Sequence, residues 1–224
     1  MKLLAVLAAL LSTSHAVQTK PPAIDEAPSC PANFAQPDGK LPEDAISTSL
    51  LLPISAKAPN KSFYVPEWAK VTPNDECTIF NLELPVAASQ GKICNLVFDF
   101  PSYDQAPGVP YVFHGPGHFT FTGYEFGAGA IPGVTTFENQ PEPGLSPPNP
   151  PEVVEPGNSY VIHSAPCDIP PEMEGAVLFS GSLCSEDTTF MFKQSNEQGC
   201  PLGFYVVLTD DPDAGEDNET TQEG

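Results

Sequence analysis

Three apolar runs between Ser49 and Pro101 constrain this chain more than any other feature, because each runs into a proline. They are Leu50-Leu51-Leu52-Pro53-Ile54, Ile79-Phe80-Asn81-Leu82-Glu83-Leu84-Pro85 and Ile93-Cys94-Asn95-Leu96-Val97-Phe98-Asp99-Phe100-Pro101. Proline has no N–H to give to a ladder, so each run reads as a strand that is stopped. Phe80 and Leu82 share a face in the second run, and in the third Leu96, Phe98 and Phe100 alternate with Asn95, Val97 and Asp99. Period-two alternation predicts a half-buried antiparallel sheet. With 28 Pro and 17 Gly in 224 residues, helices are expected to be few and short.

Strand-like runs recur at 47–54, 77–84, 93–100, 110–114, 118–126, 133–137, 159–163, 176–180, 188–193 and 203–208. Many short strands punctuated by Gly and Pro predict an all-β fold, a jelly-roll-like antiparallel β-sandwich spanning 47–208. Residues 17–46, rich in Pro, Ala and Asp, read as an extended N-terminal segment tethered by Cys30. Seven prolines between Asn139 and Pro156 predict a surface crossing in polyproline geometry, a stiff connector between two sheets. Residues 209–224 read as a disordered acidic tail.

The first residues carry the three parts of a secretory signal: basic Met1-Lys2, an apolar core from Leu3 to Leu11, and small residues up to a cleavage point after Ala16. That core is too short to span a bilayer. No apolar C-terminal run follows, so a released, extracellular or wall-associated product is expected rather than a membrane-held one. Six cysteines, Cys30, Cys77, Cys94, Cys167, Cys184 and Cys200, all lie beyond the signal, an even count that suits three disulfides in an oxidising compartment. Spacing alone does not choose among their pairings. A zinc site would need close pairs, which are absent.

Eight Lys and no Arg face 29 acidic residues, for a formal charge of −21. Nucleic acid and anionic membrane surfaces both require clustered cations, so neither is expected as a partner.

No constellation identifies a reaction, and no cofactor is expected. His114 and His118 flank the turn Gly115-Pro116-Gly117 and are weak metal candidates, with His163 or a carboxylate as a third ligand. A copper brace at His15 would require cleavage after Ser14, against the better residue Ala16. No G-x-S-x-G elbow surrounds Ser164, Ser180, Ser182 or Ser195. Asp99, Glu125 and Asp168 are candidates for a glycosidase-like carboxylate pair, a weak signal in so acidic a chain. Asp211-Pro212-Asp213 misses the calcium-loop order. Asn60-Lys61-Ser62 and Asn218-Glu219-Thr220 fit the N-glycosylation acceptor. Trp68, the single tryptophan, and Tyr64 could form a platform for a sugar ring, against the plainer reading of Trp68 as a lid on the sandwich.

The ordered series of the three runs with Val71-Thr72-Pro73, Tyr111-Val112-Phe113, Phe137-Glu138-Asn139, Pro156-Gly157-Asn158-Ser159-Tyr160, Cys167 and Gly203-Phe204-Tyr205 resembles the fungal family named for the C-terminal domain of the ubiquitin-three-binding protein But-two. The resemblance covers about Ser47 to Leu208 and implies an all-β secreted or wall-associated domain without known catalytic residues. It also implies a Cys94–Cys167 disulfide, expected to staple the two sheets, and leaves Cys30, Cys77, Cys184 and Cys200 unassigned. The expected function is therefore a non-catalytic binding module for carbohydrate or an extracellular host protein. A secreted enzyme acting on polysaccharide, by copper or carboxylate chemistry, is the alternative.

Overall fold

The computed structural model describes residues 29–64, 68–145, 147–196 and 199–214. The signal segment, residues 17–28, the Asn218 acceptor and the end of the acidic tail lie outside them. Ten antiparallel strands and one short helix order themselves along the described chain. They are β1 (Ile46–Ser55), β2 (Ala69–Val71), β3 (Glu76–Pro85), α1 (Val86–Ser89), β4 (Lys92–Phe100), β5 (Tyr111–His114), β6 (Thr120–Gly123), β7 (Asn158–Pro166), β8 (Ala176–Cys184), β9 (Thr189–Phe192) and β10 (Gly203–Asp210). Seven form one sheet in the order β6-β8-β3-β1-β10-β4-β7, and three form a smaller sheet, β2-β9-β5.

The large sheet curls, and its concave face carries the main core. Phe80, Phe98, Phe100 and Phe204 project from β3, β4 and β10 onto Phe190 and Phe192 of β9, all buried. Phe80 stacks on Phe204 with ring centroids 4.2 Å apart, and Phe98 meets Phe192 edge-on at 5.6 Å. Each such aromatic pair adds about 0.5–1.5 kcal/mol beyond the area it buries.

The convex face is covered too, which corrects the half-buried sheet. Leu52, Ile54 and Ile79 are buried with Tyr124 and Ala130, while Val97, Tyr205 and Val207 are buried with Ala35 of the N-terminal segment. Alternation in the sequence could not distinguish solvent from a loop packed against that face.

Four local expectations change. Pro53 does not end β1, which pairs Pro53 with Thr78 and continues to Ser55. β10 pairs with β1 only at Ile46 and Ser47, so β1 becomes an edge beyond them, where a sheet tolerates proline. The run 133–137 is a turn rather than a strand: the Thr135 hydroxyl accepts the Ile131 N–H at 2.8 Å and Asn139 Oδ1 accepts the Thr136 N–H at 2.6 Å. Such side-chain bonds compete with a ladder. β6 is confined to four residues of the run 118–126. β10 extends through Thr209 and Asp210, into the stretch expected as tail.

The disulfides are Cys30–Cys200, Cys77–Cys184 and Cys94–Cys167. None joins the two sheets. Cys77 and Cys184 lie on the neighbours β3 and β8, and Cys94 of β4 meets Cys167 just beyond its neighbour β7, with Cα atoms 5.0 Å apart. Because β4 and β7 are hydrogen-bonded neighbours in one sheet, the expected inter-sheet staple becomes a strand-to-strand one. Cys30–Cys200 pins the N-terminal segment to the β9–β10 connection.

Candidate functional site

The small sheet covers only part of the concave face. At the other ends of β3, β4 and β10, Leu82, Leu84, Leu96 and Val206 floor an apolar cleft of about 610 Å³. Phe179 and Ser180 of β8 line one side, and His163, Ala165 and Pro166 of β7 line the other beside the Cys94–Cys167 bridge. Phe126, half exposed, stands at the mouth edge-on to Phe179 at 5.3 Å.

The proline-rich crossing borders this mouth and does not connect two sheets. It spans the two open edges of one sheet, β6 and β7. Gly144 N–H donates to Gly123 O at 2.9 Å and Glu125 N–H to Glu142 O at 3.0 Å on the β6 side, and Asn149 N–H donates to Ile162 O at 3.1 Å on the β7 side. Gly144 is required by this approach, since a Cβ there would stand 2.7 Å from Tyr124 O. Farther on, Val154 N–H donates to Gly117 O at 2.9 Å. Prolines suit this role because they keep the chain extended without ladder hydrogen bonds. Between the anchors Leu145 is fully exposed at the rim.

Few polar side chains face the cleft, because the hydroxyls of two residues along its edge are engaged on the convex side. There Ser180 Oγ donates to Ala128 O at 2.7 Å. The Tyr124 hydroxyl, in the convex-face cluster, donates to Gln140 Oε1 at 2.9 Å, and burial pushes its phenol up to about 12. Among the described residues the charged side chains of the lining are Glu125 on the β6 side and Asp168 on the β7 side, both exposed, with His163 the one imidazole.

The candidate carboxylates therefore divide. Glu125 and Asp168 share the cleft, whereas Asp99 is buried on the opposite face of the sheet. There Gln36 Nε2 donates to Asp99 Oδ2 at 3.1 Å and the Ser159 hydroxyl donates to Oδ1. Desolvation nevertheless raises the Asp99 carboxyl to about 6.

The histidine turn is built into the frame. Gly117 N–H donates to Thr188 Oγ1 at 2.8 Å, and His118 Nδ1 lies 2.7 Å from Asp187 Oδ2, whose carboxyl it holds below the usual range. His114 is exposed at the end of β5, and His163 is in the cleft wall. Among the described residues no three His, Cys, Asp or Glu side chains gather as a metal site would need. Tyr64 is 90% exposed, whereas Trp68 is half buried just before β2. Asn60 is exposed in the turn after β1.

The cleft was not foreseen. Leu145 is a lone apolar residue in a proline-rich stretch, and Phe126 closes the strand-like run 118–126, whose pattern predicts a ladder position rather than the rim of a cleft. Only the curl of the sheet brings them together.

A family model described as the ubiquitin 3 binding protein But2 C-terminal domain matches residues 49–198. The chain belongs to this But2 family. The But2 match begins in β1 and takes in β2 to β9 with most of the cleft, leaving β10 and the N-terminal segment outside it. No curated protein and no solved structure matches the chain. Among the described residues, no helix is long and apolar enough to cross a membrane.

Proposed function

We propose that this But2 domain is a secreted, non-catalytic binding module that receives an apolar side chain of a protein partner in the cleft under residues 140–156. The observation that carries the reading is the cleft itself: an open apolar concavity of about 610 Å³ with few polar groups, rimmed by exposed Phe126 and Leu145. Concave, largely apolar sites of this size are where proteins take ligands, and a buried Leu or Phe side chain contributes about 1.5–3 kcal/mol. A protein as partner class is also in keeping with the family's description, which names But2 for binding ubiquitin 3. Secretion is supported by the signal-like start and by three disulfides, which persist in oxidising compartments. Asn60, exposed in its turn, is the proposed glycan acceptor.

Catalysis by Glu125 and Asp168 is the weaker reading, because the floor between them is aliphatic and aromatic and lacks the hydroxyl and amide groups that hold a sugar ring. A carbohydrate platform at Tyr64 is favoured by that ring's exposure, and loss of glycan retention in Tyr64→Ala would support it.

The test is titration with Nile red, a neutral apolar dye. Saturable binding to the wild type and its loss in Ala165→Trp, which fills the cleft, are expected. No saturable binding, or equal binding to the two proteins, would overturn the reading.

A further inference from the structure

We infer that the occupant of the cleft is a cationic segment, an apolar anchor flanked by Lys or Arg; this rests on the cleft reading above and names its partner. The argument is charge complementarity at the rim. Glu125 follows β6 and Asp168 follows β7, the two ends of the curled sheet, so a segment laid across the mouth passes a carboxylate on each side. Among the described residues neither carboxylate has a hydrogen-bonded or ionic partner, and no Lys lines the cleft. Lys57, Lys70 and Lys92 are paired elsewhere, with Asp75, Glu76 and Asp210.

The whole molecule acts in the same direction. With 29 acids against eight Lys, its field draws cations in and repels an acidic peptide or a fatty-acid carboxylate. Exposed Leu145 and Phe126 offer apolar surface along which the methylenes of a Lys or Arg stem lie while the charged head reaches the rim carboxylates. The apolar floor thus supplies affinity, and the rim selects the sign of the partner's charge.

The experiment compares three synthetic probes at low salt: a peptide with a Leu-Phe anchor flanked by Lys, its Glu-flanked counterpart, and dodecanoate. Affinities are read by competition with Nile red. The Lys-flanked peptide is expected to bind about tenfold more tightly than the Glu-flanked one, the size of two exposed ion pairs, and the ratio is expected to shrink as salt is raised. Glu125→Gln with Asp168→Asn should reduce that ratio by about threefold or more while Nile red still enters. Asn suits the positive φ of 47° at Asp168. Glu43→Gln with Asp44→Asn, on the segment covering the opposite face, should leave the ratio unchanged. An equal preference in the rim variant and the wild type overturns the inference, as does tighter binding of dodecanoate or no displacement of the dye by the Lys-flanked peptide. In those cases entry of Nile red leaves the cleft reading standing; failure of Nile red to enter the wild type overturns both.

Discussion

The two faces of the seven-stranded sheet are both crossed by segments that are not strands, yet they are treated in opposite ways. On the convex face the N-terminal segment is locked down. Cys30–Cys200 ties its start, Ala35 packs on Val97 and Tyr205, and Asn33, Gln36 and Ser159 hydrogen-bond around buried Asp99. On the concave face the proline-rich crossing is held by backbone hydrogen bonds to Gly123, Glu125, Ile162 and Gly117 and by buried Val154 at its far end, with Leu145 left in solvent. The lesson is that a buried polar network under a crossing segment marks a surface that is finished, and exposed apolar side chains over an apolar floor mark one that is not.

Breaking the locked face should have the largest effect. Cys30→Ser with Cys200→Ser, which opens a loop of sequence separation 170, is expected to cost about 4 kcal/mol in denaturant unfolding. Nile red affinity should be unchanged in the folded fraction; a loss of dye binding in that fraction would mean that the two faces are coupled.

The next effect depends on pH. Burial holds the Asp99 carboxyl at about 6 against 3.8 for the free group, so the folded chain binds this proton more tightly than the unfolded chain. The resulting stabilisation is complete below pH 3.8 and is lost as pH rises through about 6, about 3 kcal/mol in all. A second hydrogen-bond arrangement is at hand for the protonated form, since Ser159 Oγ also lies 3.3 Å from Gln36 Oε1. The titratable neighbour is the Tyr205 phenol, itself pushed up by burial and by the Asp99 charge. Asp99→Asn should match the wild type near pH 4 and exceed it in unfolding free energy near pH 7 by up to that amount. Identical pH slopes in the two proteins would contradict this assignment.

Gln36→Ala leaves one Asp99 oxygen without a donor and is expected to destabilise by about 1–3 kcal/mol near pH 7, and by less near pH 4. Leu145→Ser, on the open face, should change unfolding free energy by no more than about 0.5 kcal/mol and still weaken Nile red binding. A large stability loss there would place Leu145 in the framework and erase the contrast between the faces.

The strands were legible in the sequence because their residues obey period two, and Phe80, Leu82, Phe98 and Phe100 stand on the expected face. The resemblance implied that Cys94 pairs with Cys167, as the structure has it, but Cys77 and Cys184 could be matched only through the sheet order that sets β3 beside β8. The proline-rich crossing was legible as an extended surface segment, while its endpoints were not, because edge partners such as Gly123 and Ile162 are set by curl. Asp99 shows the same limit: its alternation with Phe98 and Phe100 placed it outward, and the segment that buries it lies more than sixty positions earlier.

The most direct test of the contrast is a two-dimensional NMR titration of the labelled protein with the Lys-flanked peptide, read as amide shift changes. The account predicts changes at 123–126, 144–145 and 163–168, with the amides of 33–45 and Tyr64 unmoved. Shifts concentrated at Tyr64 or on the N-terminal segment, with those cleft amides silent, would contradict it.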